Sequence, residues 1–308
     1  MSTDPYDALI VGGGPAGLSA ALILGRARKR ALLVDGGTPR NAAAAHVNGF
    51  VFRDGTPPKE LRRVGREQLA RYPGVEVRDG LVSSIDGERG AFTARVGDDT
   101  VTARRVILCV GMIDEVPELY RALWGHAVFQ CPYCHGWEIR DAAWGLVVHD
   151  PRWIEMSPFF TGWTSDLTVF TDGHFTVPDE ARAALTAQGI SIVERPIRAL
   201  VPRDDDPTRL AFIELDDGAR VAREALFAHP KQRQTPLVTA MGLALDDMGF
   251  VTVDPAGQTS RPGVYAGGDL LTMRQGALLG ASAGALAAYS LNHELTMELA
   301  REGSLRRA

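Results

Sequence analysis

Residues 8–17 read Ala-Leu-Ile-Val-Gly-Gly-Gly-Pro-Ala-Gly, and an apolar stretch, Leu18–Arg28, leads on to Ala31-Leu-Leu-Val-Asp35. The run Ala8–Val11 predicts a strand, 18–28 a helix, and 31–34 a second strand that ends at Asp35. Glycines stand at 12, 14 and 17 of this βαβ unit, and a carboxylate follows 18 positions after the last of them. Gly12 permits a tight turn, Gly14 lets a pyrophosphate approach the backbone, and Gly17 lets the helix pack on the strand. Pro15 and Ala16 open the helix, whose N-terminal N–H groups face the phosphates, and Asp35 can accept from a ribose hydroxyl. The glycine spacing alone is a weak signal. Strand, helix and acid in the required order make it a dinucleotide motif.

Two distant segments sharpen the choice of dinucleotide. Val106-Ile-Leu-Cys-Val-Gly111 predicts a strand ending in glycine, and Met112–Pro117 reads as a linker. Much later come Gly263-Val-Tyr-Ala-Gly-Gly-Asp269, Arg274-Gln-Gly-Ala277 and a helix of small residues. Together with Gly12–Gly17 these segments resemble the FAD domain of two-dinucleotide-binding flavoproteins. The resemblance implies FAD as cofactor, with Gly268 and Asp269 at its ribityl-phosphate end and Arg274, Gln275 and Ala277 along the isoalloxazine. It puts Asn48 and Gly49 on the other side of the flavin, and Gly36, Arg40, Asn41, Val82 and Gly111 among the remaining contacts. Arg40 and His46 either touch flavin or line the substrate mouth; for Arg40 the alternative is a surface loop that it anchors.

Between the FAD segments, Gly145–Val148, Leu167–Phe170 and Ile190–Val193 are apolar runs at spacings that suit another α/β unit. The expected fold is therefore α/β, with two Rossmann-like domains, the second inserted into the first. Residues 1–114 and 231–308 would form a discontinuous FAD-binding domain. Residues 115–230 would form an NAD(P)H-like domain carrying the cysteine pair.

That pair lies in Cys131-Pro-Tyr-Cys134-His135-Gly136-Trp-Glu138. Two thiols three positions apart can close a disulfide at the start of a helical turn, where the helix dipole favours a thiolate, the form that attacks. Three rival readings fit poorly. A glutaredoxin is small and begins just before its C-P-Y-C, whereas this motif comes some 130 residues in. C-x-x-C-H as a haem attachment needs export. A zinc site wants four ligands, and Cys131, Cys134 and His135 are the only local ones. No metal is expected. The third cysteine, Cys109, sits in an apolar run and reads as an inert buried thiol.

The order of segments resembles the low-molecular-weight thioredoxin reductases over nearly the whole chain. By that resemblance Cys134 faces and attacks the flavin, Cys131 exchanges with the substrate's sulfur, and the protein is a homodimer. Two departures matter. Where the inserted domain should carry a glycine-rich NADPH motif stand His149-Asp-Pro-Arg-Trp-Ile-Glu155, with Asp150, Arg152 and Glu155 at the glycine positions. A carboxylate there would meet a pyrophosphate with repulsion and desolvation added together. The next strand, ending Phe170-Thr-Asp-Gly-His174, also lacks the arginines that grip a 2′-phosphate. Second, His135 follows Cys134 where thioredoxin reductases usually have Asp. C-P-x-C-H-G with an aromatic and Glu is similar to the FAD dithiol oxidases of gliotoxin and holomycin type. In those a small dithiol reduces the enzyme and oxygen takes the electrons. A histidine suits that direction, since its ordinary pKa near 6.5 lets it take a proton from the dithiol.

The leading expectation is an FAD-dependent dithiol oxidase, independent of NAD(P)H, with Cys131, Cys134 and His135 catalytic. The alternatives are a reductase of thioredoxin-like proteins, fed by ferredoxin, another flavoprotein or NADPH, and a non-catalytic redox sensor. Trp153, Phe159, Phe160 and Trp163 are read as core and interface residues at helical spacing, the alternative being an apolar wall for a hydrophobic dithiol. Asp204–Asp206 reads as a solvated turn and His229 as structural.

Composition narrows the rest. The 308 residues are 45% hydrophobic and 23% charged, as in soluble globular proteins, which excludes disorder and fibrous repeats. With 33 basic and 38 acidic residues the net charge is −5, which argues against nucleic-acid binding. The start, Met1–Tyr6, is polar and shows no signal peptide, and the bland run Gly276–Leu291 is too short to span a bilayer. The expected location is the cytoplasm, without membrane attachment.

Overall fold

The apolar run ahead of Gly12 forms β1 (Tyr6–Val11), and α1 (Pro15–Arg26) carries the chain to β2 (Ala31–Asp35). In the computed structural model, which describes residues 4–304, these strands pair in parallel with Val11 opposite Val34. The first three residues, half of the polar stretch read for a signal peptide, lie outside the described residues, as do the last four.

The first of two compact units comprises the chain up to Ala42, Gly49–Ile113, and everything from Gln232 onward. After α2 (Pro58–Leu69) come β3 (Val75–Asp79), β4 (Val82–Glu88), β5 (Ala91–Val96) and β6 (Asp99–Leu108). They form one sheet in the order β3-β2-β1-β6-β5-β4, and a late strand, Val264–Ala266, joins it alongside β6. β6 has two characters. Its first half pairs antiparallel with β5, and its second half pairs parallel with β1. Residues 8–11 of β1 and 31–34 of β2 are buried without a break, as strands covered on both faces must be, whereas β5 alternates buried and exposed. The C-terminal helix, Ala277–Arg301, covers one face by packing on α1 through small residues. A side chain at Gly284 would bring its Cβ within 2.0 Å of the Ala16 carbonyl oxygen, so the two helices meet backbone to backbone. Beneath the C-terminal helix lies a buried cation. Arg105 is fully buried, and its Nη2 lies 2.9 Å from Glu294 Oε1 and 2.7 Å from Glu298 Oε2. Arg89 reaches the same two carboxylates, and the Tyr265 hydroxyl donates to Glu294.

Met112–Pro117, expected to be a plain linker, contains a strand instead, β7 (Ile113–Glu115). It pairs with Lys231–Arg233 on the chain's return, and this pairing satisfies backbone groups that an isolated linker would leave to water.

The second unit comprises Ala43–Asn48 and Asp114–Lys231. α3 (Glu118–Arg121), β8 (Val128–Phe129) and α4 (Pro132–His135) precede β9 (Trp144–Val147), β10 (Leu167–Phe170), α5 (Asp179–Ala187) and β11 (Ser191–Val193). β12 (Ile197–Pro202), β13 (Leu210–Leu215) and β14 (Arg220–Ala222) form an antiparallel sheet, after which β15 (Ala225–Phe227) completes a parallel sheet in the order β11-β10-β9-β15-β8. The remaining elements follow in chain order: β16 (Lys231–Arg233), α6 (Pro236–Ala240), β17 (Val264–Ala266) and α7 (Ala277–Arg301). Between β9 and β10 runs a 3₁₀ helix, Pro151–Gly162. Its three-residue turn corrects the reading of the aromatics there. Side chains at i and i+3 eclipse, so Ile154 and Ser157 are buried on one edge, while Trp153 (43% exposed), Met156 and Phe159 (40% exposed) form a second edge, in solvent. Phe160 and Trp163 are half-buried and pack against the core of this unit. Asp204–Asp206 forms the expected solvated turn, held by Arg203 and Thr208. Among the described residues no helix is long and apolar enough to cross a membrane.

Candidate active site

In the first unit the turn after β1 is built of backbone. Gly12 has φ +106°, and a Cβ there would lie 2.3 Å from the Cys109 carbonyl oxygen. At Gly17 a Cβ would fall 1.8 Å from the oxygen of Gly12, so α1 can start this close to the turn only with glycine. Gly14 faces open space and, as the N-terminal cap of α1, has no side chain to bond the helix's first N–H groups, and Pro15 stands in the first turn. That leaves an N-terminus able to take phosphate, approached from the side on which Gly14 has nothing. Asp35 ends β2 beside this turn. Its Oδ1 accepts from the Gly37 N–H at 3.1 Å, and its Oδ2 lies 2.7 Å from Arg66 Nη2. Arg66, on α2, also reaches Asp79 at 2.7 Å and so fixes the carboxylate's direction. Sequence reasoning missed Arg66, because an arginine in a charged helix carries no local signal.

Four residues from distant parts of the chain converge in the same unit. Arg40 Nη1 lies 3.0 Å from Asp269 Oδ2 and donates to Gln275 Oε1, which also accepts from Gln232 Nε2 at 3.1 Å. Gln275 Nε2 in turn donates to Gln232 Oε1 at 2.9 Å. Asp269 follows Gly268, whose φ of +103° reverses the chain there. Gln232 was not foreseen. Of the other expected cofactor residues, Gly36, Asn41 and Arg274 are exposed, Gly111 has φ +63°, and Ala277 begins α7. Val82 is buried in the core, which leaves its backbone rather than its side chain to meet a ligand. Gly49 has φ +72° and donates its N–H to Asp54. FAD fits this unit: the glycine turn and the start of α1 would hold its pyrophosphate, Asp35 its ribose, and the Arg40–Asp269–Gln275 cluster its far end.

In the second unit Cys131 caps α4, a single turn with Pro132 in first position, and the Cys134 N–H donates to the Cys131 carbonyl at 3.2 Å. The turn brings the two sulfurs to 2.8 Å, without a disulfide between them. Asn48, expected at the flavin, donates from Nδ2 to the Cys134 carbonyl at 2.9 Å and so pins the turn from a separate segment. Gly136 lets the turn close, since a Cβ there would lie 2.6 Å from the Pro132 oxygen and 2.9 Å from the Trp163 ring. The His135 ring stacks on Phe129 with centroids 4.4 Å apart. Both its nitrogens are shielded from solvent, and neither has a well-formed hydrogen-bond partner among the described residues. Burial pushes its pKa below the ordinary histidine value, against a weaker upward pull from the Cys131 backbone. Tyr133 projects from the turn, 71% exposed, with Phe159 and Trp163 around it at ring distances of 5.7 and 5.3 Å. Burial pushes the thiol of Cys109 up to about 12, in keeping with an inert group.

After β9, Asp150 caps the 3₁₀ helix. Its Oδ1 accepts from the Arg152 N–H at 2.9 Å, and the guanidinium of Arg152 folds back onto the same carboxylate at 2.5 Å.

Comparison with known proteins agrees with this architecture. The family model for pyridine nucleotide-disulphide oxidoreductases matches residues 6–140 and 175–289. Thioredoxin reductase sirT of Leptosphaeria maculans is 33% identical over 315 residues, which cover 96% of each chain. Thioredoxin reductase aclD of Aspergillus oryzae is 31% identical, across 97% of this chain and 99% of that one. Among solved structures, HlmI superposes with a TM-score of 0.90 at 35% identity, covering 98% of this chain and 96% of that one. A putative thioredoxin reductase from Bacillus anthracis gives 0.88 at 30% identity, with 95% and 99% covered. With most of its length matched by the family model and by full-length relatives, the chain belongs to the pyridine nucleotide-disulphide oxidoreductases and is an FAD-dependent oxidoreductase acting on sulfur groups.

Proposed function

We propose that the protein oxidises small dithiols through Cys131 and Cys134, with oxygen as final acceptor and without NAD(P)H. The observation that carries this reading is the turn after β9. A dinucleotide site needs a glycine-rich turn there, leading into an α-helix whose free N–H groups receive phosphate. Asp150 instead spends its carboxylate on the Arg152 N–H, and a 3₁₀ helix begins at Pro151. A phosphate arriving at that point would meet the Asp150 carboxylate, tied to Arg152, where a glycine-rich turn would offer free backbone N–H groups. The interval between the two matched segments of the family model, 141–174, spans this region.

A substrate thiolate attacks Cys131 of the oxidised pair and displaces Cys134 as thiolate. The second substrate thiol then attacks the substrate sulfur bound to Cys131, which closes the substrate disulfide and frees Cys131. Two electrons and two protons leave the substrate, and His135, kept neutral by burial, is the base that receives a proton. FAD, which the glycine turn after β1 and the Arg40–Asp269–Gln275 cluster would hold, would supply the two-electron acceptor for the reduced cysteines and the route to oxygen, with hydrogen peroxide as product. The names of the relatives favour a second reading, reduction of a thioredoxin-like protein.

Anaerobic titration of the yellow protein separates the two. Bleaching by a small dithiol alone, with colour and peroxide returning in air, is the expected result. Bleaching by stoichiometric NADPH, with onward reduction of purified thioredoxin, would establish the reductase.

The pH profile tests His135. With its pKa depressed in the folded protein, the ring stays able to accept a proton at neutral pH and loses that ability only as pH falls through the lowered value. The acid limb of dithiol oxidation should thus have its midpoint below about 6.5. His135→Gln should be slower by about a hundredfold and lack that limb. A variant that kept the limb would assign the base to another group.

A further inference from the structure

Two strand ends in the second unit hold a set of side chains that the dithiol chemistry does not use. β9 and β10 are parallel neighbours with Val147 opposite Phe170, so the residues just beyond them emerge side by side. His149 follows β9; Asp172, Gly173 and His174 follow β10. Asp172 has φ +53° and Gly173 φ +73°, and the His174 N–H closes this reversal on the Thr171 carbonyl at 3.0 Å. The reversal returns the His174 ring onto that of His149, stacked with centroids 4.0 Å apart and planes 20° from parallel. Asp172 is oriented from behind: its Oδ1 accepts from the Ile197 N–H at 2.6 Å, while Oδ2 lies 3.3 Å from His149 Nε2.

We propose that His149, Asp172 and His174 form a binding site for a divalent transition-metal ion of the zinc type. One ligand atom from each residue lies within 4.8 Å of the other two, and among the described residues no other three histidine, cysteine or acidic side chains come together in this way. Two ligand atoms of a tetrahedral zinc ion, each at about 2.0–2.1 Å, stand roughly 3.3 Å apart. Both imidazoles are exposed, and to bind they would leave their stacked arrangement so that their in-plane lone pairs converge on the ion beside Asp172. Two imidazoles with one carboxylate suit zinc, cobalt or nickel; magnesium and calcium prefer all-oxygen sets. The Ile197 N–H supplies the outer hydrogen bond that ligating carboxylates use to hold direction. The ion would lie at the carboxyl ends of β9 and β10, the end of an open α/β sheet at which ligands bind, and water would fill its remaining coordination. Sequence reading sought ligands only around the cysteines and expected no metal, because His149 and His174 are far apart in the chain and only the parallel pairing unites them.

The test uses the full-length, FAD-loaded protein in its oxidised form, so that Cys131 and Cys134 are tied up as a disulfide and cannot ligate. After treatment with chelator and its removal, titration calorimetry with zinc chloride should show one equivalent bound in the micromolar range or tighter, and no comparable binding of magnesium. His149→Gln, His174→Gln and Asp172→Asn should each weaken zinc binding at least about tenfold. Asparagine keeps an oxygen for the Ile197 N–H, and circular dichroism checks the fold of each variant. Absence of a bound equivalent at about 1 mM zinc, equal binding by magnesium, or undiminished binding by the folded variants would overturn the proposal.

Discussion

Cys134→Ser is expected to give a yellow protein that holds FAD but whose flavin no longer bleaches with dithiol, with turnover slowed by about a thousandfold or more. The substitution removes the sulfur 2.8 Å from that of Cys131 and hence the possibility of closing the pair. It leaves the turn intact, because Asn48 holds residue 134 by its backbone carbonyl and Pro132 and Gly136 set the curvature. A serine of nearly equal volume therefore separates chemistry from folding. Cys131→Ser should also lose turnover, since the pair can then no longer close and no disulfide is left for the substrate thiolate to attack. Stopped-flow bleaching and steady-state peroxide formation measure both variants. A Cys134→Ser protein that oxidised dithiols at the normal rate would refute the thiol-pair mechanism.

The largest expected loss of stability is at Arg105, far from any of this chemistry. Arg105→Ala should destabilise the folded protein by about 3–5 kcal/mol, the range found when one partner of a buried ion pair is removed. Glu294 and Glu298 are mostly shielded beneath Arg105 and Arg89, and the Tyr265 hydroxyl is committed to Glu294. Removing the central guanidinium leaves two carboxylates facing one exposed arginine. The effect has a sign in pH. Burial works against the charge on Glu298, but hydrogen bonds from Arg105 and Arg89 outweigh it and hold the carboxyl below its usual range. Its contribution is present above the ordinary glutamate pKa and is lost as pH falls through the lowered folded value. The difference between wild type and variant should therefore narrow on acidification. Urea unfolding at pH 7 and at about pH 3, below the ordinary glutamate value, gives the comparison; a variant as stable as the wild type at neutral pH would show that the cluster adds nothing.

The first βαβ unit was legible because its determinants are local. Ala8–Val11 and Ala31–Val34 are buried strands whose composition alone demands two covered faces, and Gly12 and Gly17 stand where a Cβ would strike backbone. The cysteine turn was legible for a similar reason, since Pro132 and Gly136 encode its shape within six residues. Arg40, Asp269 and Gln275 could be picked out separately by resemblance, but their joining through Gln232 could not. Of the aromatics of 153–163, Phe160 and Trp163 lie against the core as expected, whereas the three-residue turn sets Trp153 and Phe159 on an exposed edge.

The sequence by itself determined the α/β class, the glycine turn after β1, the cysteine pair at C-x-x-C spacing and the absence of a glycine-rich turn after β9. These are properties of short segments, in which neighbouring residues set the backbone and the backbone sets the chemistry. Tertiary structure alone decided that Arg66 would steer Asp35, that Asn48 would hold Cys134, that Arg105 would be buried under two glutamates, and that His149, Asp172 and His174 would meet. Each of these depends on which strands and helices become neighbours, and that is settled by burial of whole faces rather than by any pattern a single segment carries.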